Sequence, residues 1–537
     1  MTAKWRMPVQ ADRLWPLWYL LAILTGALAT GRWTLAPAAW LSGVFMIRFV
    51  RTQRPLRGFL LGVPAMALVF WVGWSGLIPW GGEAFAVMAI AVGVTGMLVY
   101  SIDRVLYPRL RGIPATLVYP CALVAFEFLL SFAGDAGSSF GLTAYSQHDV
   151  LPLVQMASVT GLWGITFLVA WFASVANYLW EHGFQPRRAA GPVGAFCAVL
   201  ALALLAGGTR MVLAGVPGET VRVAMVAEPA LSGPEEFWPS DAVERRYLGG
   251  EPLSDAEWDS IAEGTRRVHD RLFTRSAAEV AAGARMVFWA EGNAPVRAED
   301  EPALLGRAAA LAREHGVYLG MGMLMLPRDV RQKLQNKVVV VSPDGRVAAE
   351  YHKSVPVPGI EAALLRPGDG RLGIVDTPYG RLGLAICYDL DFPRLIRQAG
   401  RAGVDILVGP SNDWPAIART HAEMAAFRAV EEGVSLVRPT TEGISIATDP
   451  YGRVLASMDA STNARSVAAQ VEVRGVRTLY PRIGDAVAWA SLAGLVLLAV
   501  AALRRKRSPA DADTPSPALP PSSRVGTRES EHSIPRT

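Results

Sequence analysis

The chain has 537 residues, of which 51% are hydrophobic and only 18% charged, with 16 Trp. Soluble domains average about 25% charged residues, so this composition excludes a disordered scaffold and argues against a wholly soluble protein. A net charge of +5 is too small for a nucleic-acid surface, so no nucleic-acid partner is expected, and three Cys cannot build a disulfide framework.

No acidic residue occurs between Asp12 and Glu83. A spanning helix needs about 20 mostly apolar residues. Apolar runs predict such helices at 14–30, 33–50, 59–79, 85–102, 114–132, 159–180 and 191–208, with an eighth at 486–503. Basic residues gather in alternate loops: Lys4, Arg6 and Arg13, then Arg51, Arg54 and Arg57, then Arg104, Arg109 and Arg111, then Arg187 and Arg188. Arg504, Arg505, Lys506 and Arg507 follow the eighth run, and the loops between these clusters are nearly bare. The positive-inside rule puts every basic loop, and both termini, in the cytoplasm. The expected organisation is a seven-span membrane domain (1–213), an external domain (214–484), a last span (485–504) and a cytoplasmic tail (505–537). Six Pro in the last thirty residues predict that the tail is disordered.

Glu127 stands alone in the fifth apolar run. An ionisable group there marks either a functional site or a hydrogen bond between helices. The spans show no paired charges of the kind transporters use. Residues 131–158 carry no Lys or Arg. They suit either a membrane-level loop that reorders around a lipid or a simple connector.

The external region changes texture. Val-, Ile- and Leu-rich runs at 221–226, 286–289, 317–323, 337–341, 382–387 and 405–408 predict buried strands. Helices are predicted at 255–283, 301–315, 393–402 and 417–433. Ser342-Pro343-Asp344-Gly345 and Asp449-Pro450-Tyr451-Gly452 are tight turns that suggest hairpins. The class is α/β, with sheets covered by helices.

Three segments end a strand on a reactive side chain: Trp289-Ala290-Glu291-Gly292, Glu350-Tyr351-His352-Lys353 and Ile386-Cys387-Tyr388-Asp389. Taken singly, a Glu or Lys after a strand is a surface or salt-bridge residue, and a buried Cys is a small hydrophobe. Together they supply a base, a cation for an oxyanion and a nucleophilic thiol. Cys387 is also the one Cys of the external region; Cys121 and Cys197 fall in predicted spans. No Cys/His cluster with metal-ligand spacing is visible, and no cofactor is implied.

The order Glu291, Lys353, Cys387 resembles the nitrilase (carbon–nitrogen hydrolase) superfamily. Phe392-Pro393, Ser411-Asn412-Asp413-Trp414, Arg428-Ala429-Val430-Glu431-Glu432-Gly433 and Thr441-Glu442-Gly443 carry the same resemblance. It implies an α-β-β-α sandwich with Glu291 as general base, Lys353 as oxyanion stabiliser and Cys387 as nucleophile. Glu361 matches the supporting glutamate near that lysine. Seven spans before such a domain and one after it resemble the apolipoprotein N-acyltransferase family, as do Phe126-Glu127-Phe128, Gly141-Leu142-Thr143-Ala144-Tyr145-Ser146-Gln147 and His421-Ala422-Glu423-Met424.

That resemblance implies a bacterial inner-membrane enzyme with its catalytic domain outside. Its acyl donor is a membrane phospholipid and its acceptor a diacylglyceryl lipoprotein precursor. Tyr388, Asp389, Trp414, Phe140 and Tyr145 are the candidate substrate contacts. Departures from the family pattern at Ala290, Gly292, Asp389, 412–415 and 358–361 keep a second reading open. That reading is a membrane-tethered amidase, or another N-acyltransferase, using the same three residues. A catalytically dead binding module or transporter is the third.

Overall fold

The computed structural model describes residues 12–78, 80–132, 137–214, 218–228 and 237–504. The predicted tail lies outside them.

Within residues 218–484, one sheet orders its strands Ser466–Glu472, Thr220–Val226, Met286–Trp289, Tyr318–Leu326, Gln335–Val341 and Val347–His352, with Ala294–Arg297 paired to Tyr318–Leu326. A second orders Val454–Asp459, Ile444–Thr448, Ser435–Arg438, Ile406–Val408, Gly380–Leu384 and Gly373–Thr377. The central strands of both are parallel. This explains their unbroken apolar runs, since both faces of such strands are covered.

Alternation divides each strand between two cores. Met286 and Phe288 face Leu382, Leu384, Ile406 and Val408 of the other sheet. Val287 and Trp289 face the helices Asp255–Ala281 and Glu301–His315. Pro393–Ala402 and Ala418–Glu432 cover the second sheet through Ile396, Ala399, Ala425 and Ala429. The layers therefore run α-β-β-α, as the family resemblance implies. Both predicted hairpins form: Gln335–Val341 pairs antiparallel with Val347–His352, and Ile444–Thr448 with Val454–Asp459.

Helices form in all eight apolar runs, but six of them are long and apolar enough to cross a membrane among the described residues. Trp15–Leu28 has 14 residues and Ala36–Thr52 has 17. At 1.5 Å per residue these reach roughly 21 and 26 Å, short of the ~30 Å hydrocarbon core. The fifth run breaks into Ile113–Thr116 and Val118–Leu130. The sixth helix, Leu162–Glu181, starts later than predicted because Gly161 turns the chain with φ +60°; a Cβ there would lie 2.4 Å from the Tyr480 ring. Leu162–Glu181 lies inside the bundle, whereas Pro186–Leu213 exposes Leu202, Leu205, Val212 and Leu213. Such an exposed apolar surface is stable against lipid, not water.

Just past the ends of three predicted spans, the structure forms an ion-pair cluster that the sequence did not show. Arg51 donates to both oxygens of buried Asp103 at 2.8–3.1 Å and to Glu181 at 3.1 Å. The pair was hidden because its members lie 52 residues apart, on different helices.

The two parts are tied at several points. Ser139 donates through Oγ to the Asp391 carbonyl at 2.8 Å, Arg428 donates to the Tyr145 hydroxyl at 3.0 Å, and Gln155 donates to the Tyr451 carbonyl at 2.9 Å. Trp163 and Arg397 both donate to Asp485, just before the helix Ala486–Arg504.

Candidate active site

Glu291 follows Met286–Trp289 and Lys353 follows Val347–His352, both in the first sheet. Cys387 opens a 3₁₀ turn, Cys387–Asp391, after Gly380–Leu384 of the second. The predicted strand thus stops before the thiol. Cys387 has φ +47°, a left-handed conformation that costs a non-Gly residue of order 1–3 kcal/mol. Its N–H donates to the Pro410 carbonyl at 2.9 Å, which fixes the turn against the neighbouring strand loop.

The sandwich brings the three residues together. Lys353 Nζ donates to Glu291 Oε1 at 2.7 Å and to Glu361 Oε1 at 2.8 Å. Asn336 Nδ2 also donates to Glu291 Oε1, at 2.7 Å, and the Asn412 N–H donates to Oε2 at 2.8 Å. The Val357 N–H holds Glu361 Oε2 at 2.8 Å. Glu291, Lys353 and Cys387 are 3%, 1% and 6% exposed. Burial alone would discharge Lys353, yet the Glu291 and Glu361 carboxylates win and hold its ammonium well above the usual range. Burial pushes the Glu291 carboxyl up, and Lys353 pulls back. Burial, then the Glu291 charge, raises the Cys387 thiol well above its ordinary value, with Lys353 opposing them. At rest the site therefore holds a neutral thiol beside an ion pair.

The five predicted contact residues divide between the cavity wall and the protein interior. Trp414 lines the cavity over the thiol and donates to the Leu77 carbonyl at 2.9 Å, linking it to the membrane domain. Phe140 lines the same cavity, its ring 5.5 Å from that of Trp74. Tyr145 is buried in the joint between the two parts, its hydroxyl shared by Ser139 and Arg428 and its ring against Phe427. Asp389 is fully buried: Oδ2 accepts from Tyr351 at 2.7 Å and from the Ile386 N–H at 3.0 Å, and Oδ1 from the Val355 N–H at 2.8 Å. Burial pushes its carboxyl up to about 6. It clamps the Cys387 turn to the segment after Lys353. Tyr388 lines the cavity, its ring edge-on to Phe392 at 5.0 Å.

Asn336 and the Asn412 N–H, which hold the base, were not foreseen. Nor was a buried chain beside the thiol, in which Arg438 donates to Asp413 at 2.8 Å and Asp413 bonds His421 Nδ1 at 2.6 Å. Cys387, Asp413 and His421 each place a metal-ligand type of atom within 4.8 Å of the others. Arg438 occupies both Asp413 oxygens, so a second cation there would be repelled.

The cavity has a volume of about 580 Å³. Cys387, Tyr388 and Trp414 line one part, and Ala22, Met46, Val69, Val99 and Ala170 of five helices line the rest. It joins the thiol to the interior of the helix bundle. Glu127 touches it too, but Thr143 and Thr166 occupy both of its oxygens, the hydrogen-bonding role of the two open for it.

Residues 13–175 match the model of the apolipoprotein N-acyltransferase N-terminal domain, and residues 258–477 that of carbon–nitrogen hydrolases. The chain belongs to the apolipoprotein N-acyltransferase family, within the carbon–nitrogen hydrolases. This N-acyltransferase is 29% identical to an apolipoprotein N-acyltransferase of Geobacter metallireducens, over 91% of this chain and 96% of that one. It is 28% identical to one of Bradyrhizobium diazoefficiens, with the same coverage. A mouse deaminated glutathione amidase is 33% identical over only 28% of this chain and 54% of its own.

Proposed function

We propose that this N-acyltransferase moves an acyl chain from a membrane phospholipid, through a thioester on Cys387, to the α-amine of a diacylglyceryl-cysteine at a lipoprotein N-terminus. The observation that carries the reading is the apolar cavity that joins the thiol to the helix bundle. Its volume is within the ~300–1,000 Å³ of small-ligand pockets, and its walls suit an acyl chain. A water-soluble amide would need no such chamber.

In the first half-reaction Glu291 takes the Cys387 proton and the thiolate attacks the ester carbonyl. Lys353 stabilises the oxyanion. The C–O bond breaks, Glu291 returns the proton to the leaving oxygen, and a lysophospholipid departs. In the second, the amine attacks the thioester, Glu291 accepts a proton from nitrogen, and the thiol is regenerated as the amide forms. Glu361 keeps Lys353 charged. The basic loops support an inner-membrane orientation with the catalytic domain outside and both termini in the cytoplasm.

The test is purified protein with phospholipid and a diacylglyceryl lipopeptide, read by mass spectrometry. Triacylated peptide and lysophospholipid should appear in equal amounts. Without peptide an acyl thioester should accumulate on the wild type and not on Cys387→Ala. Hydrolysis of small amides with no acylated peptide would instead support the tethered amidase.

A further inference from the structure

The proton balance of the second half-reaction leaves one proton without an acceptor. An α-ammonium must shed two protons to become an amide nitrogen. Glu291 takes one and returns it to the Cys387 sulfur. A protonated amine has no lone pair with which to attack, so the other must leave first.

The cavity offers a group for it. Asp391 lines the cavity with Cys387, four residues along the same turn. Its side chain is 2% exposed, and Oδ2 has no hydrogen-bond partner among the described residues. His421 Nε2 lies 3.5 Å from Oδ2, an ion-pair contact that leaves neither atom with a hydrogen bond, although the ring is 3% exposed. Buried polar atoms in native proteins are nearly always satisfied, so two adjacent exceptions facing one cavity point to a missing ligand. Asp413 and Arg438 hold the far side of His421, and the Phe140 ring packs edge-on at 6.2 Å. Burial disfavours a charged His421, but the Asp413 and Asp391 carboxylates outweigh it and raise the ring to about 9, against Arg438. Asp391 Oδ2 therefore faces His421 on one side and the cavity on the other, with lone pairs left for a cation there.

We propose that Asp391 binds the α-ammonium of the acceptor and takes its first proton, with His421 positioning the carboxylate. This rests on the acyltransferase reading given above. An N–H bond breaks as an O–H bond forms at Oδ2, and the freed lone pair attacks the thioester carbon. Glu291 accepts the second proton and passes it to the sulfur, and Asp391 loses its own to water. The acceptor class is a lipid-linked primary amine that arrives as a cation.

The experiment separates the half-reactions in the full-length protein in detergent. Asp391→Asn is isosteric. It should form the thioester from phospholipid at a rate within threefold of wild type, which also shows that it folds. Transfer to the diacylglyceryl lipopeptide should fall by roughly 100-fold at pH 7, the lower end of the range for a lost proton acceptor. The deficit should narrow by about tenfold at pH 9, because an α-amine with pKa near 8 goes from about one-tenth to nine-tenths neutral. Hydroxylamine, uncharged at pH 7, should cleave the thioester equally fast in both proteins. Equal loss of both half-reactions, or a transfer deficit that does not change with pH, would overturn the assignment. A wild type that forms no thioester from phospholipid would instead overturn the acyltransferase reading itself.

Discussion

Replacing Lys353 with Met separates what the lysine does for stability from what it does for chemistry. Its ammonium is the shared cation of Glu291 and Glu361, at 2.7 Å from each, and is 1% exposed. Removing one partner of a buried ion pair costs about 3–5 kcal/mol, because the other charge is stranded. Here two carboxylates are stranded, so Lys353→Met should lose at least that much. Asn336 and the Asn412 N–H still serve Glu291, which limits the damage to about the single-pair value. The rate suffers twice. Loss of an oxyanion donor costs roughly 10²–10³-fold, and a Glu291 that goes neutral without its cation no longer accepts a proton, a further ~10²-fold. Turnover should drop by at least ~10⁴-fold. Adding Glu361→Gln removes one stranded charge and should recover about half of the lost stability with none of the rate. Thermal unfolding in detergent reads the first quantity, and thioester formation from labelled phospholipid the second. A Lys353→Met protein that melts with the wild type and acylates within tenfold of it would refute the arrangement.

Reporter fusions after Leu213 and after Arg504 should report opposite sides of the membrane, external and cytoplasmic; matching signals would sink the topology drawn from the basic loops. Gly96→Leu places four carbons into the cavity wall, where a Cβ already comes within 3.1 Å of Met66 Cε. It should slow thioester formation most with long acyl chains and spare short ones, as a series of phospholipids would show; equal slowing at every length would remove the chain from this cavity. Asp389→Asn turns an amide N–H₂ towards donors now facing a carboxylate, and hydrogen bonds to charged groups are worth about 1.5–3 kcal/mol each. The melting temperature should fall clearly, while Asp389→Asn with wild-type stability would remove the clamp.

Glu291, Lys353 and Cys387 were legible because each follows a strand and the three together make a base, a cation and a nucleophile. Their partners were not. Asp413 meets Arg438 across 25 residues and His421 across 8, so only the assembled sandwich makes them one chain. Asp389 was a candidate substrate contact. In a 3₁₀ turn successive side chains lie about 120° apart, so Asp389 points away from Cys387 and into the protein. The apolar runs located all eight helices, yet hydropathy could not see that Trp15–Leu28 stops short, nor that Gly161 delays the sixth helix for the sake of Tyr480. Strands such as Ser435–Arg438 and Ser466–Glu472 escaped notice because Arg438, Gln470 and Glu472 interrupt their apolar pattern.

The resting state of the thiol yields the last prediction. Burial and the Glu291 charge hold Cys387 protonated well above its ordinary range, and the thiolate is the reactive form. A lone thiol kept neutral is protected from oxidation, but it also needs an internal base whenever substrate arrives. If Glu291 is that base, the thiolate forms by transfer within the site and its amount does not depend on bulk pH. Alkylation of Cys387 by a small neutral reagent should then change little between pH 6.5 and 8.5 (in a Cys121→Ala, Cys197→Ala background, so that one thiol reports). In Glu291→Gln only bulk hydroxide can remove the proton, and the rate should start lower at pH 6.5 and climb about tenfold per pH unit. The two profiles should converge at the alkaline end. Parallel profiles of equal slope would mean that Glu291 does not take the thiol proton. Its buried contacts with Lys353 and Asn336 would then serve to shape the site and not to run its chemistry.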